Sequence, residues 1–181
     1  MRELRIHGRG GQGSVTAAEL IATAAFTAGV YSQAFPAFGV ERRGAPVQAF
    51  VRFSDEKIRL RSQIYEPDYI IVQDSTLIHD VNVFAGMSAG GIAIINTEKD
   101  LKYNLPEGVK LITIDATKIA MEEIGRPITN TTLMGAFAAA SGEITLDALE
   151  GAIRSRFDGK LADTNVSAAK RAYTMIKEGR V

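Results

Sequence analysis

The sequence predicts an α/β protein: a single-domain, three-layer Rossmann-like fold over residues 1–181, with a mixed, mostly parallel sheet. Three observations predict it. Short apolar runs at Tyr69 to Val72, Ile92 to Ile95 and Leu111 to Ile114 have the make-up of strands covered on both faces. Stretches with helical spacing alternate with these runs and fill the last third of the chain, the order that lays helices on the faces of a sheet. A glycine-rich turn from Gly8 to Gly13 joins the first extended run to the first helical stripe.

The elements follow in order. Leu4 to Ile6 is a short extended run. Residues 14–28 carry Val15, Ala18, Ile21, Ala22, Ala25 and Phe26 on one helical stripe, and Gly29 stops it. Glu19 lies three residues after Thr16, so a capping box would start this helix slightly later. The stretch 33–46 holds two prolines and two glycines and reads as a shaped loop. Val47, Ala49, Val51 and Phe53 alternate as in a strand, and Ile58 to Arg61 extends a hairpin from it. This antiparallel piece makes the sheet mixed. Residues 75–87 and Ala116 to Ile124 have helical character, and Gly125-Arg126-Pro127 breaks the chain. Asn130 is placed to cap a helix through Ala140. Leu146, Leu149, Ile153 and Phe157 mark the next helix. Val166, Ala169, Ala172, Tyr173 and Ile176 mark the last, which ends at Gly179.

Composition narrows the function. Hydrophobic residues make up 46% and charged residues 23%, the balance of a globular chain rather than a disordered one. Basic and acidic side chains number 21 each, so nothing in the overall charge attracts nucleic acid or an anionic membrane. The lack of cysteine excludes disulfides, a thiolate zinc site, a cysteine nucleophile and an iron–sulfur cluster held by this chain. Only His7 and His79 are available as imidazoles, too few for a histidine-rich metal centre. The N-terminus lacks a signal-peptide stretch and no apolar run reaches membrane-spanning length, which leads us to expect a cytoplasmic protein.

Gly8-Arg9-Gly10-Gly11-Gln12-Gly13-Ser14 carries the clearest chemistry. Glycines let the backbone turn sharply and approach a ligand, and the helix start behind them offers free N–H groups to an anion. Gly8, Gly10 and Gly13 satisfy the dinucleotide pattern, but Val30 to Val40 contains no acid to hold a ribose. Ser14 stands where a nucleotide P-loop would have its lysine. Four glycines exceed what a bare turn needs, which favours phosphate binding over a ligand-free turn. Arg42 and Arg43 are forked donors suited to phosphate, or a solvated charge cluster. Asp74 falls at a strand's C-terminal end and reads first as a helix cap. Asn130 and Thr131 likewise read as caps before ligands. Gly135 amid Ala136, Ala138, Ala139 and Ala140 points to close helix packing, within the chain or across a subunit interface. His7 reads as structural, and no nucleophile–base–acid set stands out.

The string Ile6–Ser14, the Ala34–Val47 loop, Arg61–Asp74 and Asn130–Gly135 together resemble the gamma subunit of 2-oxoacid:ferredoxin oxidoreductases. Phe35-Pro36-Ala37-Phe38-Gly39-Val40-Glu41-Arg42-Arg43-Gly44-Ala45-Pro46 is most similar to the pyruvate or 2-oxoisovalerate branch. The resemblance spans essentially the whole chain. It implies a complex that oxidatively decarboxylates a 2-oxoacid with coenzyme A, giving acyl-CoA, carbon dioxide and reduced ferredoxin. It also implies thiamine diphosphate with Mg on alpha and beta subunits, which are fused in some systems, and 4Fe-4S clusters on delta and often beta. Carried onto this sequence, it assigns Gly10, Gly11, Gln12, Gly13, Ser14, Arg42 and Arg43 to coenzyme A phosphates. It assigns no catalytic residue and no metal ligand here. Two other readings stay open: an NAD(P)-dependent oxidoreductase, and a purely structural subunit. A homodimer of the isolated chain is also open.

Overall fold

The computed structural model describes residues 1–37, 42–99 and 103–180. One six-stranded sheet organises them, in the order β2-β3-β1-β4-β5-β6. The strands are β1 (Arg2–Arg9), β2 (Tyr31–Pro36), β3 (Pro46–Ser54), β4 (Tyr69–Val72), β5 (Ile92–Asn96) and β6 (Lys110–Ile114). β1, β4, β5 and β6 run parallel, whereas β3 pairs antiparallel with both β1 and β2. The expected mixed sheet is therefore present.

Strand periodicity divides β1 between two environments. Leu4 and Ile6 join a large apolar cluster with Val51, Phe53, Ile71, Ile94 and Ile112. Five helices cover that face: α1 (Ser14–Thr27), α3 (Ala116–Glu123), α4 (Asn130–Ser141), α5 (Leu146–Arg156) and α6 (Gly159–Lys177). Phe137 of α4 meets Phe53 at 6.1 Å and the edge of Tyr69 at 5.5 Å between ring centroids. α4 and α6 approach so closely that a methyl group at Gly135 would collide with the Ala169 carbonyl. The small-residue run therefore packs helices within this chain; it is not left over for an interface.

Arg5, His7 and Arg52 point to the opposite face and are buried there. Arg5 Nε donates to His7 Nε2 (3.0 Å), and its Nη2 donates to the carbonyls of Val83 (3.1 Å) and Ala85 (2.6 Å). Arg52 donates to Glu3 Oε1 (2.6 Å), Gln33 Oε1 (3.3 Å) and the Ser62 carbonyl (2.7 Å). These guanidinium groups hold irregular chain where a helix would otherwise lie, because loop carbonyls need donors once buried. Burial, reinforced by the Arg5 charge, depresses the His7 imidazole to about 3, so it is neutral and accepts the Arg5 hydrogen bond. A second apolar cluster forms where Ile70, Val72, Ala93 and Ile95 meet Leu77, Val83 and Met87.

Several elements differ from the sequence expectation. β2 is a strand, not a loop, and it occupies the outer edge of β3. Since β1 fills the other edge, Ile58 to Arg61 has no strand to pair with, and the predicted hairpin extension does not form. The helix expected over 75–87 shrinks to α2 (Leu77–Asp80), because Val81 turns extended and the chain then follows the carbonyls that Arg5 holds. α1 begins at Ser14 behind Gly13, with Thr16 inside its first turn, so the capping box is unused. Asn130 is the first residue of α4 rather than its cap, and Thr129 precedes it without a side-chain bond.

Candidate functional site

The glycine turn and the ends of β4, β5 and β6 share the C-terminal edge of the parallel strands, where open α/β sheets bind ligands. Each glycine has its own local requirement. A Cβ at Gly8 would strike Ser14 Oγ and Gln73 Oε1, which hydrogen-bond each other at 2.6 Å. A Cβ at Gly10 would strike the Arg42 carbonyl. Gly13 has φ 76° and lies against the Asn130 amide. Gly11 also has positive φ, 95°, but nothing crowds it. Three of the four glycines are therefore explained by packing, and their number alone does not indicate a phosphate.

The electrostatic argument is stronger. α1 carries neither a side-chain cap nor an acid in its first turn. Among the described residues, no acceptor faces the amides of Gly11, Gly13, Ser14, Val15 or Thr16. These donors and the positive end of the helix dipole form a place for an anion. The Ser14 hydroxyl is committed to Gln73, and the Gln12 carbonyl oxygen accepts from the Arg9 amide at 2.7 Å. What Gln12 and Ser14 can offer a ligand is therefore N–H.

Backbone contacts bring the arginine pair to this turn. Gly10 bridges Arg43, its amide donates to the Ala45 carbonyl (2.9 Å), and its carbonyl accepts from Gly44 (3.0 Å). Arg42 and Arg43 are exposed and form no ion pair among the described residues. Phe38 to Glu41 of the same motif lie outside those residues. Arg9 ties the turn to the wall beside it: Nε pairs with Asp74 (3.0 Å), Nη2 with Asp80 (2.8 Å), and Nη1 donates to the Gly44 carbonyl (3.3 Å). Burial pushes the Asp74 carboxyl up, but the Thr76 hydroxyl and amide and Arg9 outweigh it and hold Asp74 below the usual range. Asp74 thus organises the α2 turn and neutralises Arg9.

A cleft of about 770 Å³ opens beside the turn, within the size range of small-molecule sites. Gln12 and Gln73 line its glycine-turn side, Asn96 and Thr117 its middle, and Lys118 and Met121 its far wall. Arg42 and Arg43 are not part of that lining. Sequence reading found Gln12 and Asp74 but not Gln73, Asn96 or Lys118. Only their positions just after apolar strand runs or at a helix start mark them.

A Rossmann-like fold with an anion-ready first helix turn is the class these features define. Comparison with known proteins specifies it. A family profile described as pyruvate ferredoxin/flavodoxin oxidoreductase matches residues 3–175. Pyruvate synthase subunit PorC of Methanosarcina barkeri is 56% identical over 178 residues, covering 98% of each chain. The common gamma subunit of the pyruvate/ketoisovalerate oxidoreductases of Thermococcus litoralis is 51% identical, covering 96% of each. The crystal structure of pyruvate oxidoreductase subunit PORC from Thermotoga maritima superposes with a TM-score of 0.85 at 38% identity, covering 96% of this chain and 95% of that one. The chain belongs to the pyruvate ferredoxin/flavodoxin oxidoreductase family. Within it, this is a gamma-type subunit of an oxidoreductase complex, as the sequence motifs predicted.

Proposed function

We propose that this gamma subunit binds the phosphates of coenzyme A for a complex that converts a 2-oxoacid to acyl-CoA and carbon dioxide and reduces ferredoxin. The carrying observation is the uncapped start of α1, with two exposed arginines, Arg42 and Arg43, held against its glycine turn. The amides of Gly11, Gly13 and Ser14 and the side chains of Gln12, Arg42 and Arg43 donate to phosphate oxygens. Gly10 shapes the turn, since its own amide is engaged. The chain has no cysteine to ligate a cluster, and no group of three metal-binding side chains converges among the described residues. Thiamine diphosphate, Mg and the 4Fe-4S clusters therefore belong to alpha, beta and delta partners in this reading. The complex works in the cytoplasm, and no described helix is long and apolar enough to cross a membrane.

The test is the Michaelis constant for coenzyme A in the assembled complex carrying Arg42→Ala and Arg43→Ala. Charge-assisted phosphate bonds contribute about 1.5–3 kcal/mol each, so the constant should rise about tenfold or more. An unchanged constant contradicts the proposal.

A further inference from the structure

The chain that follows β3 crosses the loop face without forming a helix or strand, and part of it is held tightly. Arg52 donates to the carbonyls of Ser62 (2.7 Å) and Gln63 (3.4 Å), and Arg5 to that of Ile64 (3.4 Å). A methyl group at Gly86 would collide with the Tyr65 carbonyl. Residues 62–65 are therefore fixed against the sheet, and they anchor the stretch before them. That stretch points its chemistry outward. Lys57, Arg59, Leu60, Arg61 and Tyr65 are all exposed, Leu60 at 49% and Tyr65 at 69%. Tyr31, 40% exposed on the edge strand β2, pairs with Ser54 at the end of β3 and so flanks the start of the stretch.

The charges of this stretch are not used by the fold. Elsewhere arginines meet carboxylates: Arg2 pairs with Glu143, Arg9 with Asp74 and Asp80, and Arg171 with Glu122 and Glu123. Lys57, Arg59 and Arg61 form no ion pair among the described residues, although Asp55, Glu56 and Glu66 stand exposed in the same loop. These acids precede and follow the cations instead of alternating with them. Residues 57–61 thus present three positive charges and no negative one. Tyrosine and arginine around exposed apolar area are the composition of a protein contact. A chain with zero net charge gives nucleic acid no general attraction. Because this chain is a subunit of a complex, it must present a contact face to another subunit.

We propose that Lys57, Arg59 and Arg61, flanked by Tyr31 and Tyr65, dock this chain onto a carboxylate-rich face of a partner subunit. The position suits that role. β3 runs antiparallel to β1 with Phe53 opposite Arg2, so the stretch leaves from the end of the sheet opposite the glycine turn that follows Arg9. A partner bound here leaves that turn open, and the docking assignment stands or falls independently of the coenzyme A reading.

The first experiment needs no substitution. Carbodiimide treatment of the assembled complex joins a lysine amine to a carboxylate in contact with it. Lys57 should link to an aspartate or glutamate of a partner subunit; no such link overturns the assignment. The second reverses the charges with Lys57→Glu/Arg59→Glu/Arg61→Glu and follows dissociation of the complex on dilution by native mass spectrometry. The variant chain should leave the complex at about tenfold higher concentration or more, because like charges then face each other. Added salt should loosen the wild-type complex and not the variant, since screening weakens attraction and repulsion alike. Arg156→Glu/Lys160→Glu/Lys177→Glu makes the same change of net charge on α5 and α6, at exposed residues without ion pairs, and should leave retention unchanged. Retention of the 57–61 variant like the wild type, or equal loss of both variants, overturns the assignment.

Discussion

One face of the sheet is closed by helices and apolar side chains, the other by loops and buried guanidinium groups. On the helix face, α4 and α6 meet at Gly135 and Ala169 with no side chain between them, and Phe137 fills the space over β3 and β4. On the loop face, Arg5 and Arg52 reach carbonyls at 62–63 and 83–85 that no strand or helix satisfies. Helices satisfy their own backbone and need only apolar cover; irregular chain must borrow donors, and arginine has five on one rigid fork. Arg42 and Arg43 are the instructive contrast. They lie on exposed chain beside the glycine turn and form no ion pair among the described residues.

This contrast can be broken by substitution. Arg52→Ala removes a buried guanidinium that donates to the Glu3 carboxylate and the Ser62 carbonyl, and no other donor reaches either acceptor among the described residues. It should lower unfolding stability by about 3–5 kcal/mol in chemical denaturation and release amide protection over residues 55–65. If the loss is under about 1 kcal/mol, the loop face does not depend on its arginines. Gly135→Ala probes the helix face. The added methyl forces α4 and α6 apart, so a loss of about 1–3 kcal/mol is expected, with no change in the exchange of residues 55–65.

A subtler difference lies in pH. His7 falls from an unfolded value of 6.5 to about 3 in the fold, so the unfolded chain binds the extra proton. The His7 contribution is intact above about pH 6.5 and is lost as pH falls toward 3, at up to about 1.4 kcal/mol per pH unit. His7→Gln keeps an acceptor for Arg5 but cannot titrate, so its stability should vary less steeply between pH 6 and 4. Equal slopes would remove His7 as the cause. Smallest of all should be the stability change in Arg42→Ala/Arg43→Ala, within about 0.5 kcal/mol, since exposed side chains without partners contribute little to folding. A larger loss would make the pair structural, like Arg52.

The helix face was largely legible in the sequence, and the loop face was not. Compact runs such as Ile92 to Ile95 and stripes such as Val166, Ala169 and Ala172 reveal buried elements through periodicity alone. Alternation in Leu4-Arg5-Ile6-His7 implies one solvated face, whereas both faces are covered and the charged one is held by partners far along the chain. β2 escaped notice because it is an edge strand ending in Pro36, with no strong apolar alternation. At the site, the glycine turn stood out and so did Arg42 and Arg43. Gln73, Asn96 and Lys118 did not, because the sheet topology rather than local spacing brings them together.

The most direct measurement of the central claim is amide hydrogen exchange of the assembled complex with and without coenzyme A. The account predicts slowed exchange at Gly11 to Thr16, where helix amides close on phosphate, and at the 42–44 segment, with no change around the 62–63 carbonyls under Arg52. Unchanged exchange at Gly11 to Thr16 under saturating coenzyme A would contradict it.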